Sequence, residues 1–365
     1  MRSEKGSGLF ASNDRASGLP TVSIAMATYN GENYIREQLA SLAAQTVLPC
    51  EVVVTDDGST DQTLAVIADF ARTAPFPVRV YPCEKRLGFA NNFLRAASLC
   101  EGELISFCDQ DDVWMKEKIE LCSKEFYDPD VLLCLHSSKI WNGSDAFLGS
   151  WPDFKSRVVY APVSVDPLTV YPGFSMTIRR SLLNISDNNV RPNNLHSLTT
   201  SPAPMSHDQW VWFLASTFGK IVTIPDALVL YRQHDRNVYG ASFKRDIWQS
   251  LRLSVAKIDY EKLATLEAEC SVMLDRMSTE LSGSYQFRAS EASNLLRKRA
   301  TLKKKRARIY AERSNVVGRI FAYCSILFRG GYYADCYNLG LGYRAAIKDA
   351  VFGTSGFYKL HFFRS

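Results

Sequence analysis

Short apolar runs alternate with helical periods through the first hundred residues, and each of three such runs ends in a polar cluster. Val22-Ser23-Ile24-Ala25-Met26-Ala27 leads into Thr28-Tyr29-Asn30-Gly31, and Glu51-Val52-Val53-Val54-Thr55 into Asp56-Asp57-Gly58-Ser59. A third run, Val78 to Tyr81, is followed by a fourth, Glu103 to Phe107, which delivers Cys108-Asp109-Gln110-Asp111-Asp112-Val113-Trp114. Between them, Glu32 to Ala44 places Ile35, Leu39 and Leu42 on one helical face, and Asp61 to Thr73 and Phe89 to Cys100 complete the alternation. Strand-helix alternation with short loops predicts a parallel α/β sheet with right-handed crossovers. Ligands of such sheets bind beyond the carboxyl ends of the strands, where these polar clusters fall. No Gly-x-Gly-x-x-Gly follows the first strand, which argues against a dinucleotide-binding Rossmann domain.

The acidic cluster places three carboxylates within four positions. Carboxylates so close repel one another and raise each other's pKa, which a cation relieves. Hard oxygen ligands at this density suit Mg²⁺ or Mn²⁺, which take one or two carboxylates plus substrate phosphates. An acidic turn leading into a solvated helix is the competing reading. Downstream, Val131 to His136 and Ser175 to Ile178 read as strands, and the polar stretch Ser186 to Ser206 as a long binding loop or lid. His207-Asp208-Gln209-Trp210 then opens an apolar helix, Val211 to Phe218. Two strands, Ile221 to Ile224 and Ala227 to Leu230, lead to Tyr231-Arg232-Gln233-His234.

The net charge of +5 hides an asymmetry. Residues 1–240 carry 21 Lys and Arg against 27 Asp and Glu, whereas residues 241–365 carry 22 against 11. Eight of the twelve residues from Arg297 to Arg308 are cationic, and an apolar, aromatic stretch follows. A basic helix running into an apolar one suits an anionic membrane surface, although a solvated helix face is the alternative. Nucleic acid is not expected, because no nucleic-acid-binding motif accompanies the charge and the body is acidic. No window is long and apolar enough to span a bilayer; Val316 to Phe328 is too short and contains Arg319. Nine irregularly spaced cysteines without a Cys-x-x-Cys pair indicate neither a zinc site nor a disulfide framework, and point to the cytoplasm. These features divide the chain into a disordered tail (1–20), two halves of one α/β domain (21–130 and 131–240) and a basic helical region (241–365).

In these motifs the chain resembles the family 2 inverting glycosyltransferases, and among them the bacterial rhamnosyltransferase-type enzymes of surface polysaccharide synthesis. The matching residues are Ala27 to Gly31, Val54 to Asp61, Gly88 with Asn91-Asn92, Cys108 to Trp114, His207 to Trp210, and Tyr231 to His234 with Asn237. They span residues 21 to 240 in order. One departure is Ala27, where the family often has a proline that would only stiffen the turn. The resemblance implies the GT-A nucleotide-diphospho-sugar transferase fold, a mostly parallel Rossmann-like sheet flanked by helices, here with a C-terminal helical extension.

The resemblance also assigns roles. The donor would be a dTDP- or UDP-linked sugar, rhamnose foremost, and the acceptor a glycan or lipid-linked oligosaccharide at the inner face of the membrane. Thr28, Tyr29 and Asn30 would line the donor site, with Tyr29 against the base and Asp57 accepting its N–H; a core tyrosine and a helix-start acid are the plainer alternatives. Asp111 would hold the Mg²⁺ or Mn²⁺. Asp109 would contact ribose or metal, His234 would complete the shell, and Arg232 would clamp phosphate. Asp208 would take the acceptor proton, or else merely cap its helix. Trp210 is either an acceptor wall or core. A non-catalytic GT-A-like binding module of a membrane-associated assembly complex is the alternative function. A nucleotidyltransferase is disfavoured by the lack of a Gly-rich phosphate loop.

Overall fold

The computed structural model describes residues 18–144, 146–193, 203–234, 259–311, 314–333 and 341–355. The expected tail over 1–20, apart from its last three residues, thus lies outside the described residues. So do 241–258 of the expected helical region, 194–202 of the expected long loop, and Asn237.

Residues 20–109 fold as their alternation predicts. Strands β1 (Val22–Thr28), β2 (Glu51–Asp56), β3 (Val78–Pro82) and β4 (Leu104–Asp109) are parallel, separated by α1 (Ile35–Ala43), α2 (Thr63–Ala71) and α3 (Phe89–Ser98). Successive strand residues point to opposite faces, and both faces are covered. Ile24, Met26, Val52 and Val54 pack under α1 and α2 with Leu39 and Ile67. Ala25, Val53, Ile105 and Phe107 pack on the other side with Phe93 of α3.

The second half is not parallel throughout. β5 (Val113–Trp114) and α4 (Lys118–Lys124) follow the acidic cluster; then come β6 (Val131–Trp141), β7 (Phe147–Ser150), β8 (Val158–Tyr160), β9 (Met176–Arg179), α5 (His207–Phe218) and β10 (Lys220–Arg232). The ten strands form one sheet in the order β3-β2-β1-β4-β9-β6-β10-β5, with β7 on β6 and β8 on β10. β9 lies antiparallel between β4 and β6, and β5 runs antiparallel to β10. The expected mostly parallel sheet is therefore mixed. Two further expectations are corrected. The pair of strands before Tyr231 is one strand, β10, that absorbs Pro225 and Asp226 in an irregularity of register. α5 begins at His207 rather than Val211.

The C-terminal region packs on the sheet domain. α6 (Tyr260–Glu280) turns back on α7 (Gly283–Tyr310) through Leu281 and Ser282. Leu266, Cys270 and Leu274 of α6 and Ala289, Ala292 and Leu296 of α7 share one apolar cluster with Trp210 and Phe213 of α5. α8 (Val316–Leu327) and α9 (Gly342–Lys348), which runs into a π-turn over Asp349–Gly353, close a small core of Ile309, Ala322, Ile326 and Tyr332. Among the described residues no helix is long and apolar enough to cross a membrane.

Candidate active site

Strand register sets the level of the site. Thr28 pairs with Asp56, and Ala27 with Asp109, so three of the polar clusters reach the same carboxyl-end edge. There, two adjacent aspartates divide the work. Asp56 is fully buried and accepts four hydrogen bonds: from the Thr28 hydroxyl at 2.7 Å, the Ser59 hydroxyl at 2.6 Å, and the N–H groups of Gly58 at 3.1 Å and Ser59 at 2.7 Å. It knots the loop. Asp57 points the other way and accepts the N–H groups of Leu87 at 2.5 Å and Gly88 at 2.9 Å, which ties the loop before α3 to the end of β2. The carboxylate keeps lone pairs for a further donor.

The first loop is braced rather than open. Thr28 is buried and its hydroxyl is spent on Asp56. Asn30 adopts a left-handed φ of 49° and its Oδ1 accepts the Thr60 N–H at 2.8 Å. The Gln110 side chain brackets Tyr29, accepting from its N–H and donating to its carbonyl, both at 3.0 Å. Gly31 is needed beneath it, because a Cβ there would meet Gln110 Oε1 at 2.3 Å. The Thr28 and Asn30 side chains, expected to line the donor site, are thus engaged within the loops themselves. The Tyr29 ring does face outward, with the Arg86 guanidinium 3.9 Å from its centroid and Arg86 Nε 3.8 Å from Asp57.

The acidic loop carries an unneutralised field. Loss of water, then the charges of Asp111 and Asp208, push Asp109 up to about 8. That coupling places Asp208, almost a hundred residues downstream, in the same field. Asp112 is fully buried; its Oδ1 accepts the Arg232 N–H at 3.0 Å, Oδ2 has no partner, and burial raises its pKa well above the usual range. Beneath the cluster lies Lys118, fully buried, donating to the Phe174 carbonyl at 2.7 Å and lying 3.5 Å from the Trp114 ring centre. Burial brings it down to about 8, while Asp112 and Asp109 hold it up. It is the internal counter-charge of the cluster.

His234 Nε2 lies 2.8 Å from Asp111 Oδ2, and its ring stacks on Tyr34 at 4.7 Å. Carboxylate and imidazole ligand types are thus brought together beside Asp109. Among the described residues no group of three or more His, Cys, Asp or Glu side chains is placed to hold a metal ion by itself. A partial set of this kind fits Mg²⁺ or Mn²⁺, whose remaining positions fall to substrate phosphate and water. Arg232 differs from expectation. Its guanidinium is buried and directed at Glu37 at 2.5 Å, the Asp111 carbonyl at 2.8 Å and the Trp141 ring at 4.4 Å. It braces the acidic loop, and phosphate clamping is not its geometry.

Asp208 sits in the first turn of α5. Gln209 reaches back to the Ser206 N–H at 3.2 Å, the returning half of a capping box. Asp208 Oδ1 accepts the Gln209 N–H at 2.8 Å and the Ser206 hydroxyl. Its Oδ2 takes no hydrogen bond among the described residues, so one oxygen anchors the carboxylate and the other is left to act. The preceding His207 is buried between Phe93, at 4.1 Å, and Phe107, at 5.1 Å, and burial drops it to about 4, so it is neutral. Trp210 is wholly buried, with its indole N–H on Asn188 at 2.8 Å, and belongs to the core.

Arg191 carried no signal in the sequence. Its Nη2 donates to Asn91 Oδ1 at 2.5 Å, its Nε is buried without a partner, and its charge is felt at His207. Among the described residues no carboxylate pairs with it. Gln110, Glu37 and Lys118 were missed for the same reason: each acts across the fold on a distant loop.

Residues 23–184 match the family described as Glycosyl transferase family 2. The matched stretch is thus similar to the family 2 glycosyltransferases. The relatives of this chain include an uncharacterized protein of Mycobacterium tuberculosis, 28% identical over 254 residues that make up 68% of this chain and 67% of the relative. A dTDP-rhamnosyl transferase of Shigella flexneri is 29% identical over 231 residues, 60% of this chain and 75% of that one. Residues 1–349 of TarS from S. aureus, solved with UDP-GlcNAc, superpose with a TM-score of 0.51 over 93% of this chain and 92% of that one, at 20% identity. That likeness shows the GT-A fold of this chain, with the C-terminal helices added to it.

Proposed function

We propose that this chain is a glycosyltransferase that moves a deoxyhexose, rhamnose foremost, from a dTDP- or UDP-linked donor onto a glycan or lipid-linked acceptor, with inversion, in bacterial surface polysaccharide synthesis. The observation that carries the reading is the convergence of Asp57, the Asp109–Asp111 pair with His234, and Asp208 on one edge of the sheet. The Shigella relative's name supports the sugar. Asp57 and the outward ring of Tyr29 receive the base, the carboxylate accepting its N–H. Asp109, Asp111 and His234 would hold Mg²⁺ or Mn²⁺, which when bound neutralises the diphosphate and acts as a Lewis acid on the leaving group. Arg191, which pairs with no carboxylate among the described residues, adds positive charge beside Asn91 and His207.

Inversion requires one in-line attack, and the acceptor hydroxyl must lose its proton as it attacks. Asp208 Oδ2 takes that proton while Oδ1 stays fixed by Ser206 and Gln209, so the base is oriented before the acceptor arrives. The enzyme works on the cytoplasmic side, peripheral to the inner face of the cell membrane. A panel of nucleotide sugars screened for thermal stabilisation with and without Mn²⁺ tests the donor, since a true donor stabilises by mass action. Asp208→Asn is expected to keep that stabilisation and lose transfer by roughly a hundredfold or more. If it loses donor binding to the same degree, Asp208 is not the base.

A further inference from the structure

The basic stretch of α7 splits into two groups. Arg299 bonds Asp166 at 2.7 Å and the fully buried Glu267 at 2.8 Å, and Lys303 bonds the same Glu267 at 2.6 Å. Arg306 grips the buried Asp349 at 2.7 Å, and Arg297 reaches Asp275 at 2.5 Å. These four are counter-ions inside or across the helical region. Half of the cationic run is therefore structural, and α7 itself is not a bare basic face.

The remaining charge gathers elsewhere. Lys305 and Arg308, at the end of α7, lie close to Arg329, just beyond α8; none of the three forms an ion pair among the described residues. Burial and then the charges of Arg329 and Arg308 depress the Lys305 ammonium, as expected for cations held together without an acid.

Next to this cluster, α8 is apolar on both sides. Ala322 and Ile326 face the small core, while Val317, Phe321 and Phe328 are 75%, 76% and 84% exposed. Val316 and Ile320 widen the same exposed row, and α8 contains no carboxylate. A contiguous row of large apolar side chains in water marks a partner surface rather than chance exposure. A second row, Tyr343, Ile347 and Val351, is exposed at four-residue spacing along α9 and its π-turn.

We infer that the outer face of α8, with Phe321 and Phe328 as anchors and Lys305, Arg308 and Arg329 as headgroup contacts, docks on an anionic phospholipid bilayer. Apolar side chains enter the acyl boundary, and each unpaired cation adds attraction to anionic headgroups. A second copy of the chain suits the surface less well, because α8 has no acid to meet the cations of its partner. The inference deepens the peripheral location proposed above by naming the surface. The vesicle binding that decides it needs neither donor nor acceptor, so its failure leaves the transfer reaction standing.

The experiment is co-sedimentation of the full chain with vesicles of phosphatidylcholine alone and with added phosphatidylglycerol. The expected result is binding to the anionic vesicles only, weakened by salt. Phe321→Ser with Phe328→Ser should cut partitioning at least about tenfold. Lys305→Gln, Arg308→Gln and Arg329→Gln together should cut it by about a hundredfold, some fivefold per cation. Circular dichroism and donor-induced thermal stabilisation should be unchanged in both variants. Equal binding to neutral vesicles, or none to either, overturns the inference. So does a concentration-dependent dimer in analytical ultracentrifugation that the phenylalanine variant abolishes, which would reassign the face to self-association.

Discussion

Asp56 and Asp57 share a side chain, a strand end and a turn, yet their surroundings set them opposite tasks. Asp56 is sealed by four donors, so Asp56→Ala strands buried hydroxyl and amide groups and is expected to cost about 2–4 kcal/mol of stability, read as a lowered chemical denaturation midpoint. Asp57→Asn keeps an oxygen for the Leu87 or Gly88 N–H. It should therefore fold with near-native stability and lose at least roughly tenfold in donor affinity by calorimetry. If the two variants change places, the assignment of knot and ligand is reversed. At this scale the sequence was informative about which residues matter and silent about how they are held. Asp57, Asp109 and Asp111 stand at strand ends and Asp208 at a helix start, as their motifs led one to expect. Thr28, Asn30 and Arg232 were legible as present but not as inward-facing, because their partners, Asp56, Thr60 and Glu37, are reached only through the fold.

Among the elements, α5 shows how a helix start can fix a carboxylate, the one proposed above as the base. Ser206, Asp208 and Gln209 exchange hydrogen bonds within one turn, so the carboxylate is fixed by local chemistry alone. Ser206→Ala should lower stability by about 1 kcal/mol. It should also reduce kcat more than it raises KM for the donor, since it frees the base without touching the nucleotide end of the site. A change confined to donor KM would contradict the mount. The first four strands were legible because helical periods separate them, although β4 pairs with β1 and not with β3. β9 was not placed, because an apolar tetrapeptide carries no mark of direction or neighbours, and its antiparallel insertion depends on β4 and β6 together. β10 was split in two by Pro225, which a strand tolerates where its register is irregular.

Taken whole, the molecule is a sheet domain whose helical extension shares its apolar core and is tied to it by the Arg299–Asp166 ion pair. Glu267 is buried beneath Arg299 and Lys303, and Arg299 also reaches Asp166, whose carbonyl takes the Trp212 indole N–H at 2.9 Å. Glu267→Gln leaves two largely buried cations short of a counter-charge, and about 3 kcal/mol should be lost, visible as a lower denaturation midpoint for the whole chain. An early, separate transition of the helices alone would show instead that the extension is an independent unit. The braces of the acidic loop carry a different consequence, in time. Arg232 and His234 hold Asp112 and Asp111 from 120 and 123 positions away, and Glu37 from 195. A ribosome adding about 5–20 residues per second reaches them roughly 6–25 seconds after the acidic loop emerges. The nascent chain thus passes through a stage in which Asp57 and its loop partners Leu87 and Gly88 are present while the braces of the acidic loop are still to come.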